Sequence, residues 1–298
     1  LLGGATLYGR GLHDATAKRD GWESKGLVNG TILLPPGNYP DEASIRAFHQ
    51  EVLDSLRSLP GVASAGLAST NPFLIWYDSQ RYVVSGRDLP EKGREPRVDV
   101  NAVSPEYFET VGTPILAGRP FNRSDQNDSP KVYIINEHMA QTLFPGENPI
   151  GRRLTAVDDN GTQWGEIVGV AATVQSVFPN TDPLNMQVYL PMTQGLKQDA
   201  NILVRTRGGD PEPVIPLIRE AIADLDSDLP VRRLRTADTA VENETYQLRV
   251  LYGIFSGLAY LGLGLAALGI YGVISRTIAQ RTTEFGIRLA IGAQIRDI

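Results

Sequence analysis

The sequence predicts an α+β chain: a lobe of two strand–helix–strand units, a strand-rich lobe inserted between them, a transmembrane helix, and a cytoplasmic amphipathic helix. Three observations predict it. Val250–Ser275 is a run of 26 residues without a charge. Residues 31–67 and 202–235 repeat one pattern of strand, turn-rich loop, amphipathic helix and strand. Between them, short β-type runs alternate with turn residues.

Composition narrows the function classes first. A chain of 298 residues with 42% hydrophobic and 21% charged residues has enough apolar surface for real cores and is not disordered. The absence of cysteine excludes a disulfide framework, a thiolate metal site and a cysteine nucleophile. A formal charge of −6 argues against nucleic acid as a partner. A mean hydropathy of −0.16 looks soluble only because the polar bulk of the chain dilutes one greasy run.

Residues 1–26 open with LLGGATLYG before Arg10. That stretch reads either as the end of a preceding membrane helix with its stalk or as a frayed terminus. It lacks the charged start and cleavage site of a signal peptide. The chain starts at Leu1 and stops at Ile298 inside a helical pattern, so both ends look cut.

The two-unit lobe is expected over 27–72 and 186–235. In its first half, Thr31–Leu34 reads as a strand and Asp41 as an N-cap. Ile45, Phe48, Val52, Leu53 and Leu56 share one helical face, Leu59-Pro60-Gly61 stops the helix, and Val62–Leu67 returns as a strand. In its second half, Ile202–Arg205 is a strand and Asp210-Pro211 reads as a cap followed by proline at the first helical position. Val214, Ile215, Leu217, Ile218, Ala221, Ile222 and Leu225 form the apolar face, Leu229-Pro230 ends the helix, and Val231–Leu234 is the last strand. Two such units can share one sheet with both helices on one side, a split βαβ (ferredoxin-like) arrangement.

The inserted lobe, 73–185, carries strands at Arg81–Ser85, Arg97–Val103, Lys131–Asn136 and Trp164–Val170, with Met186–Leu190 at its edge. Asp159-Asn160-Gly161 is a hairpin signal. Short helices are expected at Ser104–Val111 and at Glu137–Phe144, the latter capped by Asn136. The expected architecture is antiparallel and sandwich-like. Residues 236–249 are polar and helix-compatible, a stalk leading into the span.

At 1.5 Å per residue a helix over Val250–Ser275 reaches roughly 39 Å, against about 30 Å of hydrocarbon. Tyr252 and Tyr271 fall near its ends, where aromatic rings favour the interface. A buried helix of a soluble domain fits less well, because its six glycines would weaken a helix in water and serve close packing in lipid. Gly253, Gly257 and Gly264 lie on one face, and Gly262, Ala266 and Gly269 make a second small-residue stripe. These stripes read as packing surfaces for neighbouring membrane helices, or simply as the glycine and alanine richness of bacterial membrane helices. Arg276, Arg281, Arg288 and Arg296 outnumber Glu284 and Asp297 after the span, which places 276–298 in the cytoplasm and residues about 11–249 outside. Ile287, Ile291, Ile295 and Ile298 share one face of that last segment, and Glu284–Arg288 is an i,i+4 pair on another. It suits a surface anchor in lipid or a docking surface for a cytoplasmic partner.

The search for bond chemistry is negative. The chain has no GxxxxGK[ST] loop, HExxH, EF-hand loop or GxSxG elbow, so no cofactor or metal is expected. His13, His49 and His138 are isolated in sequence, and the last two read as packing or surface residues. The acidic groups at Asp125–Asp128 and Asp158-Asp159 read as turn chemistry rather than calcium ligands. Trp76, Tyr77 and Tyr82 read as core packing rather than a contact for an apolar ligand. Asn29-Gly30-Thr31 and four similar sequons would matter only in a eukaryotic secretory pathway.

The segment Gln280-Arg281-Thr282-Thr283-Glu284-Phe285-Gly286-Ile287-Arg288-Leu289-Ala290-Ile291-Gly292-Ala293 is similar to the R-x-x-E-[IF]-G-[IV]-R-x-A-[IL]-G-A signature of MacB/FtsX-family ABC transporter permeases. The outer part resembles the MacB-like periplasmic core domain through Leu34-Pro35-Pro36-Gly37-Asn38-Tyr39-Pro40, Val103-Ser104-Pro105-Glu106-Tyr107-Phe108 and the run from Phe144-Pro145-Gly146 to Leu154. With Gly269-Ile270-Tyr271-Gly272-Val273, the chain is similar to duplicated permeases of the acidobacterial type. The resemblance implies a non-catalytic permease subunit in the bacterial inner membrane, with four membrane helices per unit, that transmits ATPase-driven motion to a periplasmic domain for export or envelope remodelling. It implies an ATPase-coupling role for Arg281, Glu284, Phe285, Gly286, Ile287, Arg288, Gly292 and Ala293. Its implied partners are an ABC ATPase subunit, a second permease unit (a dimer mate or tandem duplicate), membrane lipid and a periplasmic adaptor. The competing readings are a membrane-anchored extracytoplasmic binding or sensor module, and an outer hydrolase.

Overall fold

The computed structural model describes residues 21–70, 78–87, 95–157, 163–174 and 185–290. Trp76, Tyr77, the 159–161 hairpin signal, His13 with the rest of 1–20, and Gly292 and Ala293 lie outside the described residues. The chain divides into two units, one covering Asp14–Thr245 and the other Leu1–His13 with Tyr246–Ile298.

The first unit is organised by strand β1 (Leu27–Leu33), helix α1 (Glu42–Ser58), β2 (Val62–Ala68), β10 (Asp199–Thr206), helix α4 (Val214–Leu225) and β11 (Arg232–Thr236). The four strands lie side by side in the order β11–β1–β10–β2, and every neighbouring pair is antiparallel. That order lets each strand–helix–strand crossover skip one strand, which places α1 and α4 together over one face. Alternation along the strands feeds this face. Val28 and Ile32 of β1, and Ala200, Ile202 and Val204 of β10, pack against Phe48, Val52 and Leu56 of α1 and Ile218 and Ile222 of α4. Burying each large apolar side chain contributes roughly 1.5–3 kcal/mol.

Local chemistry sets the helix ends. Asp41 accepts a hydrogen bond from the Ser44 N–H at 2.7 Å and caps α1, as its position before the apolar periodicity requires. The second helix departs from expectation. It starts at Val214, not at Pro211, and Asp210 closes only a local turn to the Glu212 N–H at 3.2 Å. Tight turns lead into it, the Val214 N–H donating to the Pro211 carbonyl and the Ile215 N–H to the Glu212 carbonyl, each at 3.2 Å, so the regular helix begins only at Val214. Pro216 is tolerated because first-turn N–H groups have no intrahelical partner. Leu225, expected on the buried face, is 37% exposed at the helix end.

Between β2 and β10 lie β3 (Asp78–Val84), β4 (Arg97–Val103), α2 (Tyr107–Val111), β5 (Ile115–Gly118), β6 (Val132–Asn136), α3 (Glu137–Leu143), β7 (Arg153–Ala156), β8 (Gly165–Ala171) and β9 (Gln187–Pro191). This part is not an antiparallel sandwich. Pairings run β4–β3–β7–β8–β6–β9 and return from β9 to β4, so the ladder closes into a six-stranded ring. Two of its contacts, β4–β9 and β6–β8, are parallel. Closure removes the edges that an open sandwich would leave. Tyr82, Val98, Tyr133, Ile135, Leu154, Ile167 and Val188 fill the ring with Met139 and Phe144. Tyr82 and Tyr133 meet edge to face at 5.9 Å. Strands β5 and β7 have no counterpart in the sequence reading; each is only four residues long. At the end of β5, Gly118 takes φ +75°, and a Cβ there would lie 2.2 Å from the Val168 carbonyl oxygen.

The ring is joined to the four-stranded part by one ladder pair, Ala68 with Val103. Asn101 reinforces the join: its amide donates to the Thr70 carbonyl at 3.0 Å and accepts from the Thr70 N–H at 3.0 Å. Around it packs a third core of Tyr107, Phe108, Phe121 and Tyr189, together with Ala237, Ala240 and Val241 from the start of helix α5 (Ala237–Ala290). The beginning of the expected 236–249 stalk is therefore part of the domain core. Thr236 caps that helix, its hydroxyl accepting from the Thr239 N–H at 3.1 Å.

Candidate functional site

The features that point to function lie in two separate places, the apolar stretch of α5 and the junction of the two lobes. In α5, Gly253–Ile278 is long and apolar enough to cross a membrane by length and composition, with a mean hydropathy of 1.8. It overlaps the charge-free run Val250–Ser275 and includes Arg276. Leu261, Leu265 and Leu268 are each more than 65% exposed, as are Tyr260 and Tyr271. In a helix facing water this much exposed apolar surface would be strongly unfavourable; facing acyl chains it carries no such penalty.

The small residues of this helix have open space around them. A Cβ built on Gly253, Gly257, Gly262, Gly264 or Gly269 meets nothing within 4 Å. Ala266, of the second stripe, is likewise exposed. Within the described chain these stripes therefore contact no partner helix. Of the predicted coupling residues, Arg281, Glu284, Phe285, Gly286, Ile287 and Arg288 all fall on the last turns of α5, and the Ile287 side chain is 56% exposed.

At the lobe junction, a crevice of about 340 Å³ opens between α1, the strands around Val100 and the 193–197 turn. Lys197 bridges to Asp78 at 2.9 Å on its rim, and Tyr82 and Tyr133 lie deeper. The segment after β5 is held by Asp125. Arg119 grips its carboxylate with two hydrogen bonds of 2.8 Å, and the Asn122 N–H adds a third at 2.9 Å. Burial alone would raise the Asp125 carboxyl; the Arg119 guanidinium and the Asn122 N–H outweigh it and hold it below its ordinary value. These contacts use the carboxylate structurally, which is the turn role expected of Asp125. Among the described residues no three His, Asp or Glu side chains converge as a metal cluster would.

His49 is the functional candidate that sequence reasoning passed over. It sits on the buried side of α1, 4% exposed, and neither ring nitrogen has a hydrogen-bond partner among the described residues. Burial pushes its pKa down to about 4, so the imidazole is neutral at physiological pH. Its helical position was the only available signal, since it falls one residue after Phe48 and four before Leu53 on the apolar stripe.

Comparison with known proteins places this geometry. The family model for the MacB-like periplasmic core domain matches residues 17–221. A probable export ATP-binding/permease protein of Pseudomonas fluorescens is 29% identical over 239 residues, covering 76% of this chain and 35% of that protein. A macrolide export ATP-binding/permease protein MacB of Hahella chejuensis is 26% identical over 287 residues, covering 91% of this chain and 40% of the relative. The chain thus spans well under half the length of these curated relatives. Among solved structures, the periplasmic region of MacB from Actinobacillus actinomycetemcomitans matches with a TM-score of 0.50 at 15% identity, covering 77% of this chain and 97% of that one. That likeness concerns the fold.

Proposed function

This chain belongs to the MacB-like periplasmic core domain family, and from that premise we propose that it is part of a permease subunit of a MacB/FtsX-type ABC transporter. The observation that carries the reading is the order of parts: the family-matched region, 17–221, is followed by a helix whose Gly253–Ile278 stretch can cross a bilayer. In this reading the domain sits outside the bacterial inner membrane, and residues 276–298 lie in the cytoplasm as a coupling segment.

ATP hydrolysis belongs to another chain or domain, whose nucleotide-driven dimerisation moves Arg281–Ala293. The spanning helix carries that displacement to the outer domain, for export or envelope remodelling. Transmission of this kind needs an element with two arrangements, each favoured by a different state of the motor. A second permease unit, a dimer mate or tandem duplicate, would pack on the small-residue stripes of Gly253, Gly257 and Gly264 and of Gly262, Ala266 and Gly269. Lipid would surround the remaining face, and a periplasmic adaptor would complete the route outward.

The absence of cysteine makes topology directly testable. Single substitutions Ser227→Cys, in the exposed turn after α4, and Thr282→Cys, beyond the span, would be introduced into the full chain in spheroplasts. A membrane-impermeant maleimide should label Ser227→Cys in intact cells and Thr282→Cys only after lysis. Labelling of both from outside would overturn the proposal.

A further inference from the structure

A second, smaller cavity of about 90 Å³ lies against the buried side of α1, between the end of β2 and the turns at 104–106, 122–126 and 191–196. Leu53, Leu67 and Met192 supply its apolar lining, and His49, Ser104, Glu106 and Arg123 belong to its polar lining. Four of the charged groups nearby are paired. Asp125 is held by Arg119, the Ser104 hydroxyl accepts from the Leu67 N–H at 3.0 Å, and Glu106 pairs with Arg57 at 2.6 Å. Arg46, on the same rim, pairs with Glu42 at 2.8 Å. His49 has no partner for either ring nitrogen among the described residues, and Glu106 Oε2, though ion-paired to Arg57, makes no hydrogen bond there. A buried polar group left so is destabilising, a cost that a packing residue such as leucine or phenylalanine would avoid.

The neutral imidazole presents one N–H donor and one acceptor nitrogen. At the mouth of the cavity Arg123 is exposed, and its guanidinium makes no ion pair among the described residues. One unpaired cation, one unused buried hydrogen-bonding ring and an apolar wall together select a ligand with an acidic head and a short hydrocarbon body. We propose that this cavity binds a small amphipathic carboxylate, with its head between Arg123 and the His49 N–H and its hydrocarbon against Leu53, Leu67 and Met192. The assignment rests on this cavity alone and stands or falls independently of the transport reading.

The test uses the full chain in lipid nanodiscs with ¹³C-labelled histidine. The chain has three histidines, so His13 and His138 serve as internal references, and His49→Phe identifies the third signal. Butyrate is the probe, with butylammonium and 1-butanol as matched controls. Butyrate should move the His49 signal saturably and leave His138 in place. Arg123→Ala, a change at an exposed site, should weaken butyrate at least about fivefold, the loss of one charge-assisted contact. A His49 signal that butyrate leaves unmoved would overturn the proposal, as would equal shifts from all three probes, which would mark a cavity holding only water or unspecific apolar solutes. Insensitivity to Arg123→Ala would overturn it too.

Discussion

The side-chain oxygen of Asn136 accepts a hydrogen bond from the backbone N–H of Gln187 at 3.1 Å, so the residue that caps α3 also ties β6 to β9. The same oxygen accepts from the Met139 N–H at 2.9 Å, and its amide donates to the Asn185 carbonyl at 2.8 Å. Asn136 is fully buried between β6 and β9 of the ring.

Asn136→Ala should therefore cost more than an ordinary cap. It removes a cap worth about 1 kcal/mol and strands a buried N–H on β9, for a total of roughly 2–4 kcal/mol. Urea unfolding followed by tryptophan fluorescence should show the midpoint fall. A loss within the range of a simple surface substitution would show that the ring does not depend on this node.

His49 makes stability depend on pH in a defined window. Its folded pKa, about 4, lies below the ordinary 6.5, so the unfolded chain binds the extra proton first. The stabilisation is complete above pH 6.5 and is lost as pH falls towards 4, up to about 3 kcal/mol by the linkage relation. His49→Phe should flatten the stability profile between those limits. An unchanged slope in the variant would show that other groups set it.

Gly257→Leu places a large side chain where the described chain offers open space. It should leave unfolding of the outer domain unchanged within about 0.5 kcal/mol while reducing self-association in lipid, because close helix approach needs a small residue there. Cross-linking yield in membranes measures the second effect. Undiminished cross-linking would remove this stripe from any helix–helix contact.

Glu284→Arg reverses the charge of a predicted coupling residue and sets like charges four residues apart in the sequence. Under the proposed coupling role, capture of an ABC ATPase by the full-length protein should drop at least about tenfold, or about 1.4 kcal/mol, while labelling of Ser227→Cys stays the same. Retained capture would detach this segment from the motor.

The α1 cap at Asp41, the α3 cap at Asn136, the apolar faces of both long helices and the span were legible in the sequence, because each depends on neighbours within a few residues. Misreadings arose where a local signal stood one turn away from the element itself, as when Asp210-Pro211 resembled a helix start and tight turns carried the chain on to Val214. Strands β5 and β7 were invisible because four residues carry too little periodicity to stand out. In the candidate site, the small-residue stripes and the coupling motif remain expectations of the sequence, whereas His49, read as a packing or surface residue, is buried with no partner for its ring among the described residues.

By itself the sequence determined most of the longer strands and helices, the caps of α1 and α3, and which helix is too greasy for water. These follow from side-chain period, capping chemistry and hydropathy, all short-range quantities. Only tertiary structure decided that β9 returns to β4 and closes a ring, that Asn136 serves two elements, and that an imidazole faces a cavity with no partner. Those outcomes depend on pairings between residues far apart in the chain, whose free energy exists only once the intervening loops have brought them together.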